Sequence, residues 1–94
     1  MQHRYFVYMV FCRDKTFYTG ITNDPDRRVA EHNLGISETC YTYTRRPVRL
    51  VYTSEFRHVD DAIRFEKRLK GWSRKKKRAL IRGDWDEIVA LARR

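Results

Sequence analysis

The stretch that decides the fold comes first in the chain and reads YFVYMVFC over residues 5–12. It is an unbroken run of aromatic, branched and other apolar residues, which is typical of a strand that is covered on both faces. A polar turn follows at residues 13–15, and TFYTGIT at residues 16–22 reads as a partner strand. The sequence therefore predicts an antiparallel hairpin whose first strand is buried.

Capping residues predict where the helices begin and end. Asn23-Asp24-Pro25 combines an Asx cap with a proline at the first helical position, and Gly35 ends this helix after Leu34. Later helices are expected to begin at Asp60 or Asp61, at Ser73 and at Asp84. Their apolar residues expected in the core are Trp72, Leu80, Ile81, Trp85, Ile88, Val89 and Leu91.

The order of these elements sets the fold class. Residues 36–46 are irregular, and Pro47 precedes a third strand over residues 48–56. The order β-β-α-β-α-α(-α) predicts an α+β fold, with a small three-stranded antiparallel sheet flanked by helices. We expect residues 1–94 to form one domain, with a core over about 5–82 and a C-terminal helix over about 84–93.

Composition argues against several classes of protein. No apolar run approaches the roughly 20 residues that a membrane-spanning helix needs. The segment Met1–Arg4 leads into the first strand without a signal-peptide cleavage site. Cys12 and Cys40 lack the spacings of a disulfide scaffold or a zinc site. We therefore expect a cytoplasmic protein that has no membrane partner.

Positive charge is the first indication of a partner. The chain has 21 Lys and Arg against 12 Asp and Glu, a formal net charge of +9. Ten of the basic residues fall between Arg64 and Arg82, where Glu66 is the only acid. A basic surface kept for solubility would be spread more evenly, so this concentration predicts a surface that faces the phosphates of a nucleic acid.

Glu66 occupies an unusual place on a predicted helix. Residues three and four apart share a helix face, which puts Glu66 on the stripe that the helix would bury. That stripe consists of Val59, Ala62, Ile63, Glu66, Leu69 and Lys70. An ionised carboxylate buried alone is too costly to be incidental, so an arginine, a metal ion, or each of them at a different stage is expected beside it.

A second group of polar residues surrounds the predicted hairpin. Arg28 and His32 lie four apart on the first helix and point the same way, which by itself fits a solvated helix face. Tyr8 and Tyr18 add two phenols that need hydrogen-bond partners if they are buried. Gly20 lies on the second strand and permits close approach. Together these residues predict a hollow beside the hairpin.

The ordered motifs resemble those of the GIY-YIG nuclease superfamily over most of the chain. The first motif reads FVY at residues 6–8 and the second reads YTG at residues 18–20. Arg28, His32 and Glu66 follow in the family's order and at its spacing. The stretch YTYTRRPVRLVY and the later WSRKKK also resemble the small single-domain branch of this family.

The resemblance implies a metal-dependent endonuclease that hydrolyses phosphodiester bonds in DNA, with structure-selective or weakly sequence-selective action. Tyr8 would orient or deprotonate the attacking water, with its phenol pKa lowered by nearby cations. Tyr18 would position the phosphate, and Arg28 would grip its non-bridging oxygens. His32 would assist proton transfer or orient Tyr8. Glu66 would hold Mg²⁺ or Mn²⁺ at the same hollow, and no small-molecule cofactor is implied.

Binding residues are expected outside these motifs. The candidates for phosphate contact are Arg45, Arg46, Arg49, Lys70, Arg74, Lys75, Lys76 and Lys77. Tyr41 and Tyr43 either stack on bases or pack to pin the irregular segment.

Two departures from the family pattern leave alternatives open. Phe6 stands where the family name has glycine, and the chain holds no asparagine after Asn33, although the superfamily often has one after the glutamate. A non-catalytic nucleic-acid-binding protein that retains the nuclease fold is therefore one alternative. A basic module that recruits an acidic protein is another. DNA is favoured over RNA as the partner, and the oligomeric state stays open.

Overall fold

A three-stranded antiparallel sheet is the centre of the computed structural model, which describes residues 4–93. Its strands are β1 (Tyr5–Cys12), β2 (Phe17–Thr22) and β3 (Val48–Phe56), in the order β2-β1-β3. β1 lies in the middle, and residues 7–10 are buried on both of its faces. The predicted α+β fold and the covered first strand are confirmed. Residues 1–3 and 94, which the sequence assigns to the same domain, lie outside the described residues. These include most of the segment at residues 1–4 that lacks a signal-peptide cleavage site.

Four helices flank the sheet within residues 4–93. They are α1 (Pro25–Leu34), α2 (Val59–Lys70), α3 (Arg74–Arg82) and α4 (Trp85–Ala92). A short 3-10 turn at Tyr43–Arg45 interrupts the irregular segment before β3. No helix within residues 4–93 has the length and apolar character that crossing a membrane requires.

The predicted caps are confirmed at three of the four helices. Asp24, Ser73 and Asp84 each accept a hydrogen bond from the backbone N–H three residues later. The prediction was wrong for α2, whose N-cap is His58 and makes no side-chain cap bond. Asp60 and Asp61 lie inside its first turn, where their charge complements the helix dipole.

Alternation along β1 divides the core into two layers. Val7 and Met9 face the layer that α2, α3 and α4 form. Tyr8 and Val10 point to the other face, where α1 packs. The phenol of Tyr8 therefore lies in the α1 layer, whereas Glu66 belongs to α2 in the opposite layer.

The helices bury less than the sequence predicts. Val59 and Ile63 of α2 are exposed, as are Trp85 and Val89 of α4, so their expected places in the core were wrong. The sheet is only three strands wide, and α2 therefore meets it along one narrow line that includes Ala62 and Leu69. α4 packs mainly against α3, which covers its Ile88 but leaves its far side in solvent.

Candidate active site

Tyr8 lies at the centre of β1, packed against the glycine of the neighbouring strand. It is opposite Gly20 in the β1–β2 register. A Cβ atom at Gly20 would lie 2.7 Å from Tyr8 Oη and 2.9 Å from two ring carbons. The glycine that sequence reasoning associated with a hollow therefore makes room for the Tyr8 ring itself.

Tyr8 begins a buried chain of hydrogen-bonded side chains. Its Oη is 2.8 Å from His32 Nε2, and His32 Nδ1 is 2.7 Å from Thr42 Oγ1. Cys40 Sγ lies 3.3 Å from the same Thr42 hydroxyl. The tyrosine, histidine and threonine are each at most 4% exposed. A strand and a helix thus contribute one residue each to a continuous polar path, and the irregular segment contributes two.

Burial sets the protonation states along this path. Burial, with a smaller effect from Tyr18, raises the pKa of Tyr8 to about 12, although the neighbouring Arg28 opposes the increase. The expected lowering by nearby cations was therefore wrong. Burial and the charge of Arg28 lower the pKa of His32 below its usual 6.5. At neutral pH the phenol is protonated, and the imidazole is neutral with one ring N–H.

Arg28 lies one helical turn before His32, and the charge of its guanidinium acts on the nearby Tyr8 phenol. Its Nη1 is 3.3 Å from Glu31 Oε1, and both side chains are about one third exposed. A small cavity of about 30 Å³ is lined by Arg28, Glu31, His32 and Cys40. The predicted pairing of Arg28 and His32 on one helix face is observed, and the guanidinium is within reach of an anion from solvent.

A larger cavity of about 270 Å³ lies along the outer edge of β2. Its lining residues are Phe17, Tyr18, Thr19, Tyr41, Lys70 and Lys77. Tyr18 and its strand neighbours point to opposite faces, so the cavity extends around the edge of the strand from one layer to the other. The Tyr18 ring is 5.3 Å from the His32 ring and 6.3 Å from the Tyr8 ring, measured between centroids. The cavity therefore adjoins the buried polar path.

Glu66 approaches this cavity from the α2 side. Its side chain is 18% exposed, and its Oε1 is 3.3 Å from Lys70 Nζ. Lys70 also lines the cavity beside Tyr18. The structure thus brings four of the five motif residues together around the Tyr8 phenol, and it connects the fifth, Glu66, to the same cavity through a lysine.

A metal ion at Glu66 would have few protein ligands. Within residues 4–93, no three His, Cys, Asp or Glu side chains cluster as a metal site. Magnesium in phosphate-handling enzymes is commonly held by one or two carboxylates together with waters and substrate phosphates. The donor set at Glu66 therefore fits an ion that is completed by a bound phosphate.

Two of the predicted phosphate-binding residues line the larger cavity. Lys70 and Lys77 come from consecutive helices and both reach its wall. Burial lowers the pKa of the Lys77 ammonium, because water no longer solvates its charge fully. Two ammonium groups beside an aromatic wall provide a favourable environment for an anionic ligand.

Two of the arginines predicted to bind phosphate pack on aromatic rings of the irregular segment. The Arg45 guanidinium lies 3.8 Å from the centre of the Tyr41 ring, and that of Arg46 lies 4.5 Å from the centre of the Tyr43 ring. Tyr41 also stacks on Tyr18 at 6.0 Å. The contacts of both tyrosines therefore favour packing of the segment over stacking on bases.

The remaining predicted binding residues lie on the surface with partners from the protein itself. Arg49, Arg74 and Lys76 lie over aromatic rings, and Lys75 is 3.9 Å from a Glu87 carboxylate oxygen. Long basic side chains can pack their stems on such rings while the charge stays in water.

The depressed pKa of His32 predicts a dependence of stability on pH. The unfolded chain binds the imidazole proton more readily than the folded one, so this contribution to the free energy of unfolding is full above about pH 6.5 and is lost as pH falls below it. We expect urea unfolding between pH 8 and 5 to show this loss in the wild type. His32→Gln should flatten the profile, whereas His58→Gln, at an exposed position, should not. Identical profiles for all three proteins would contradict the prediction.

Comparison with known sequences relates this chain to a family. The GIY-YIG catalytic domain matches residues 4–79. A UPF0213 protein from Halobacterium salinarum is 48% identical over 75 residues, which is 80% of this chain and 96% of that protein. A UPF0213 protein from Staphylococcus haemolyticus is 42% identical over 78 residues, 83% of this chain and 94% of its own.

Two solution NMR structures share the fold. A UPF0213 protein from Bacillus halodurans is 41% identical and superposes with a TM-score of 0.54, covering 83% of this chain and 82% of its own. A protein from E. faecalis is 31% identical with a TM-score of 0.59, covering 88% and 90% of the two chains.

Proposed function

This chain belongs to the GIY-YIG catalytic domain family, and on that premise we propose that it is a metal-dependent endonuclease that hydrolyses phosphodiester bonds in DNA. Its selection of substrate would depend on DNA structure, or only weakly on sequence. The observation that carries the proposal is the convergence of Arg28 and His32 on the Tyr8 phenol, with the neighbouring Tyr18 lining a cavity that also holds two lysines.

Substrate binding would begin with the phosphate to be cleaved. The Arg28 guanidinium is partly exposed and can donate two parallel hydrogen bonds to non-bridging oxygens. The Tyr18 hydroxyl would position the same phosphate from the cavity. Lys70 and Lys77 would hold the neighbouring phosphate by charge, which predicts affinity that falls steeply with salt.

Proton transfer would run from Tyr8 to His32. A phenol whose pKa is about 12 is a poor base alone at neutral pH. As the attacking water gives a proton to Tyr8 Oη, the phenol proton would pass to His32 Nε2, 2.8 Å away. The new bond forms between the water oxygen and phosphorus, the bond to the leaving oxygen breaks, and that oxygen takes up a proton from solvent.

Glu66 would hold Mg²⁺ or Mn²⁺ together with water and phosphate oxygens. When bound, the ion supplies charge neutralisation at the leaving oxygen. The carboxylate is held in place meanwhile by the Lys70 ammonium.

A non-catalytic DNA-binding protein is the second candidate. The absence of asparagine after Asn33 and the pairing of Glu66 with Lys70 favour it. It predicts salt-dependent binding that does not change with divalent ions.

One experiment separates the two candidates. Purified protein is incubated with nicked, branched and single-stranded DNA, and with RNA of the same shapes, in Mg²⁺, Mn²⁺ or EDTA. We expect cleavage of at least one DNA only with a divalent ion, and a loss of about 10²-fold or more in Glu66→Gln. Glu55→Gln removes a carboxylate that pairs with Arg4 at the surface, so it should cut like the wild type. Salt-sensitive binding without any cleavage would favour the second candidate, and equal cleavage by Glu66→Gln would exclude the proposed role of Glu66.

A further inference from the structure

We propose that Thr42 is a positioning residue, whose hydroxyl determines which ring nitrogen of His32 carries the proton. The effect of Thr42 on cleavage rests on the function proposed above. Its effect on the imidazole does not, because the tautomer is a property of the folded protein. Sequence reasoning missed this residue, since a threonine in an irregular polar segment carries no distinguishing signal.

The position of Thr42 is fixed independently of the histidine. Thr42 is 1% exposed and immediately precedes the 3-10 turn. Its carbonyl accepts a hydrogen bond from the Arg45 N–H at 2.9 Å, and the Tyr43 N–H donates to the Cys40 carbonyl at 3.0 Å. The hydroxyl therefore meets His32 Nδ1 from a backbone that the turn holds in place.

A neutral imidazole has two tautomers, which give two arrangements of protons along the path from Tyr8 through Thr42 to Cys40. In the first, Tyr8 donates to Nε2, Nδ1–H donates to Thr42 Oγ1, and the Thr42 hydroxyl donates to Cys40 Sγ. In the second, every donor and acceptor is reversed. The thiol itself lies 3.7 Å from His32 Nδ1, farther than the threonine hydroxyl at 2.7 Å, so Thr42 is the closer partner of the ring.

The geometry of the path favours the first arrangement. Within residues 4–93, the buried Tyr8 hydroxyl has His32 Nε2 as its hydrogen-bond partner, so in the second arrangement the phenol proton would have no acceptor there. Cys40 Sγ, 3.3 Å from Thr42 Oγ1, is placed to accept the proton of the Thr42 hydroxyl. The threonine oxygen then accepts from Nδ1–H, and the Nε2 lone pair faces Tyr8.

This arrangement matters for the proposed reaction. Only an unprotonated Nε2 can take the phenol proton, and the imidazolium that forms keeps its Nδ1–H bond to Thr42. The bond strengthens as the ring becomes charged, so it stabilises the transition state more than the resting protein.

The test compares Thr42→Val with Thr42→Ser and with Thr44→Val. Valine removes the hydroxyl with little change of shape, serine keeps it, and Thr44 is an exposed threonine of the same segment. The readouts are the ¹⁵N shifts of the His32 ring, assigned with His32→Gln, and the steady-state kinetics of cleavage. We expect protonated Nδ1 in the wild type, Thr42→Ser and Thr44→Val, and a different ring spectrum in Thr42→Val. Its kcat should fall about 10- to 100-fold with KM nearly unchanged, and Thr42→Ser should recover most of that loss.

Three results would overturn the proposal. These are protonated Nε2 in the wild type, wild-type ring shifts in a folded Thr42→Val, and a Thr42→Ser that is as impaired as the valine variant. If Thr42→Val does not fold, the wild-type and Thr42→Ser ring spectra decide the tautomer. If the wild type cuts no substrate, the proposed function fails, while the ring spectra still confirm or reject the role of Thr42.

Discussion

Replacing Arg28 with alanine is expected to lower kcat/KM for DNA cleavage by about 10²–10³-fold, the typical loss when one preorganised donor to a transition-state oxygen is removed. The guanidinium adjoins the Tyr8 phenol and is partly exposed, so its loss would remove the proposed phosphate contact without opening the core. Arg28→Lys keeps the charge but not the planar pair of donors, so it should restore only part of the activity.

Arg27→Ala is the matched control for this prediction. Arg27 is exposed on the same turn of α1, and its Nη2 is 2.6 Å from Asn23 Oδ1. Cleavage by Arg27→Ala should be close to that of the wild type, with unchanged thermal unfolding in both variants. Removing Arg28 should also raise the pKa of His32, because its charge contributes to the lowering. Full activity in a folded Arg28→Ala would remove the phosphate contact from the mechanism.

Gly20→Ala is expected to cost about 1–3 kcal/mol of folding free energy, the usual range for overpacking in a tight core. The added methyl would lie 2.7 Å from Tyr8 Oη, and that ring is held by the strand register on one side and by His32 on the other. To relieve this clash, the phenol must move away from His32 Nε2, so cleavage should fall together with stability.

Gly71→Ala provides the comparison for Gly20→Ala. The nearest atom to a Cβ at Gly71 is a backbone oxygen at 3.6 Å, an ordinary contact, and its φ is −85°. The free energy of unfolding of Gly71→Ala, measured in urea, should be unchanged or higher by up to about 1 kcal/mol. A double-mutant cycle with Tyr8→Phe tests the cause, since removing the hydroxyl relieves the closest clash and the two losses should be less than additive. Strict additivity, or equal stability of the two glycine variants, would contradict the packing argument.

Local signals in the sequence predicted most of the fold. The strands and the caps at Asp24, Ser73 and Asp84 follow from residue pattern within a few positions. The start of α2 was missed because His58 makes no side-chain cap bond. The exposure of Trp85 was missed because it depends on how far the neighbouring elements extend, and no local pattern records that.

The candidate site was likewise predictable from the sequence only in part. Helical spacing paired Arg28 with His32, and the resemblance to the family's motifs joined them to Tyr8, a grouping that the structure shows. The pKa of the phenol was not predictable, because burial by the assembled layers decides it and outweighs the cations. The contact of Thr42 with the imidazole joins positions ten apart through an irregular segment, and no periodicity reports such a contact.

The position of the larger cavity along the outer edge of β2 has a consequence for self-association. Among the strands of residues 4–93, β2 pairs only with β1, which leaves a free row of backbone donors and acceptors of the kind that nucleates strand addition between copies. Lys70 and Lys77 stand beside that row. Like charges on two approaching copies would repel there, so the groups proposed to attract a polyanion also protect the edge against aggregation.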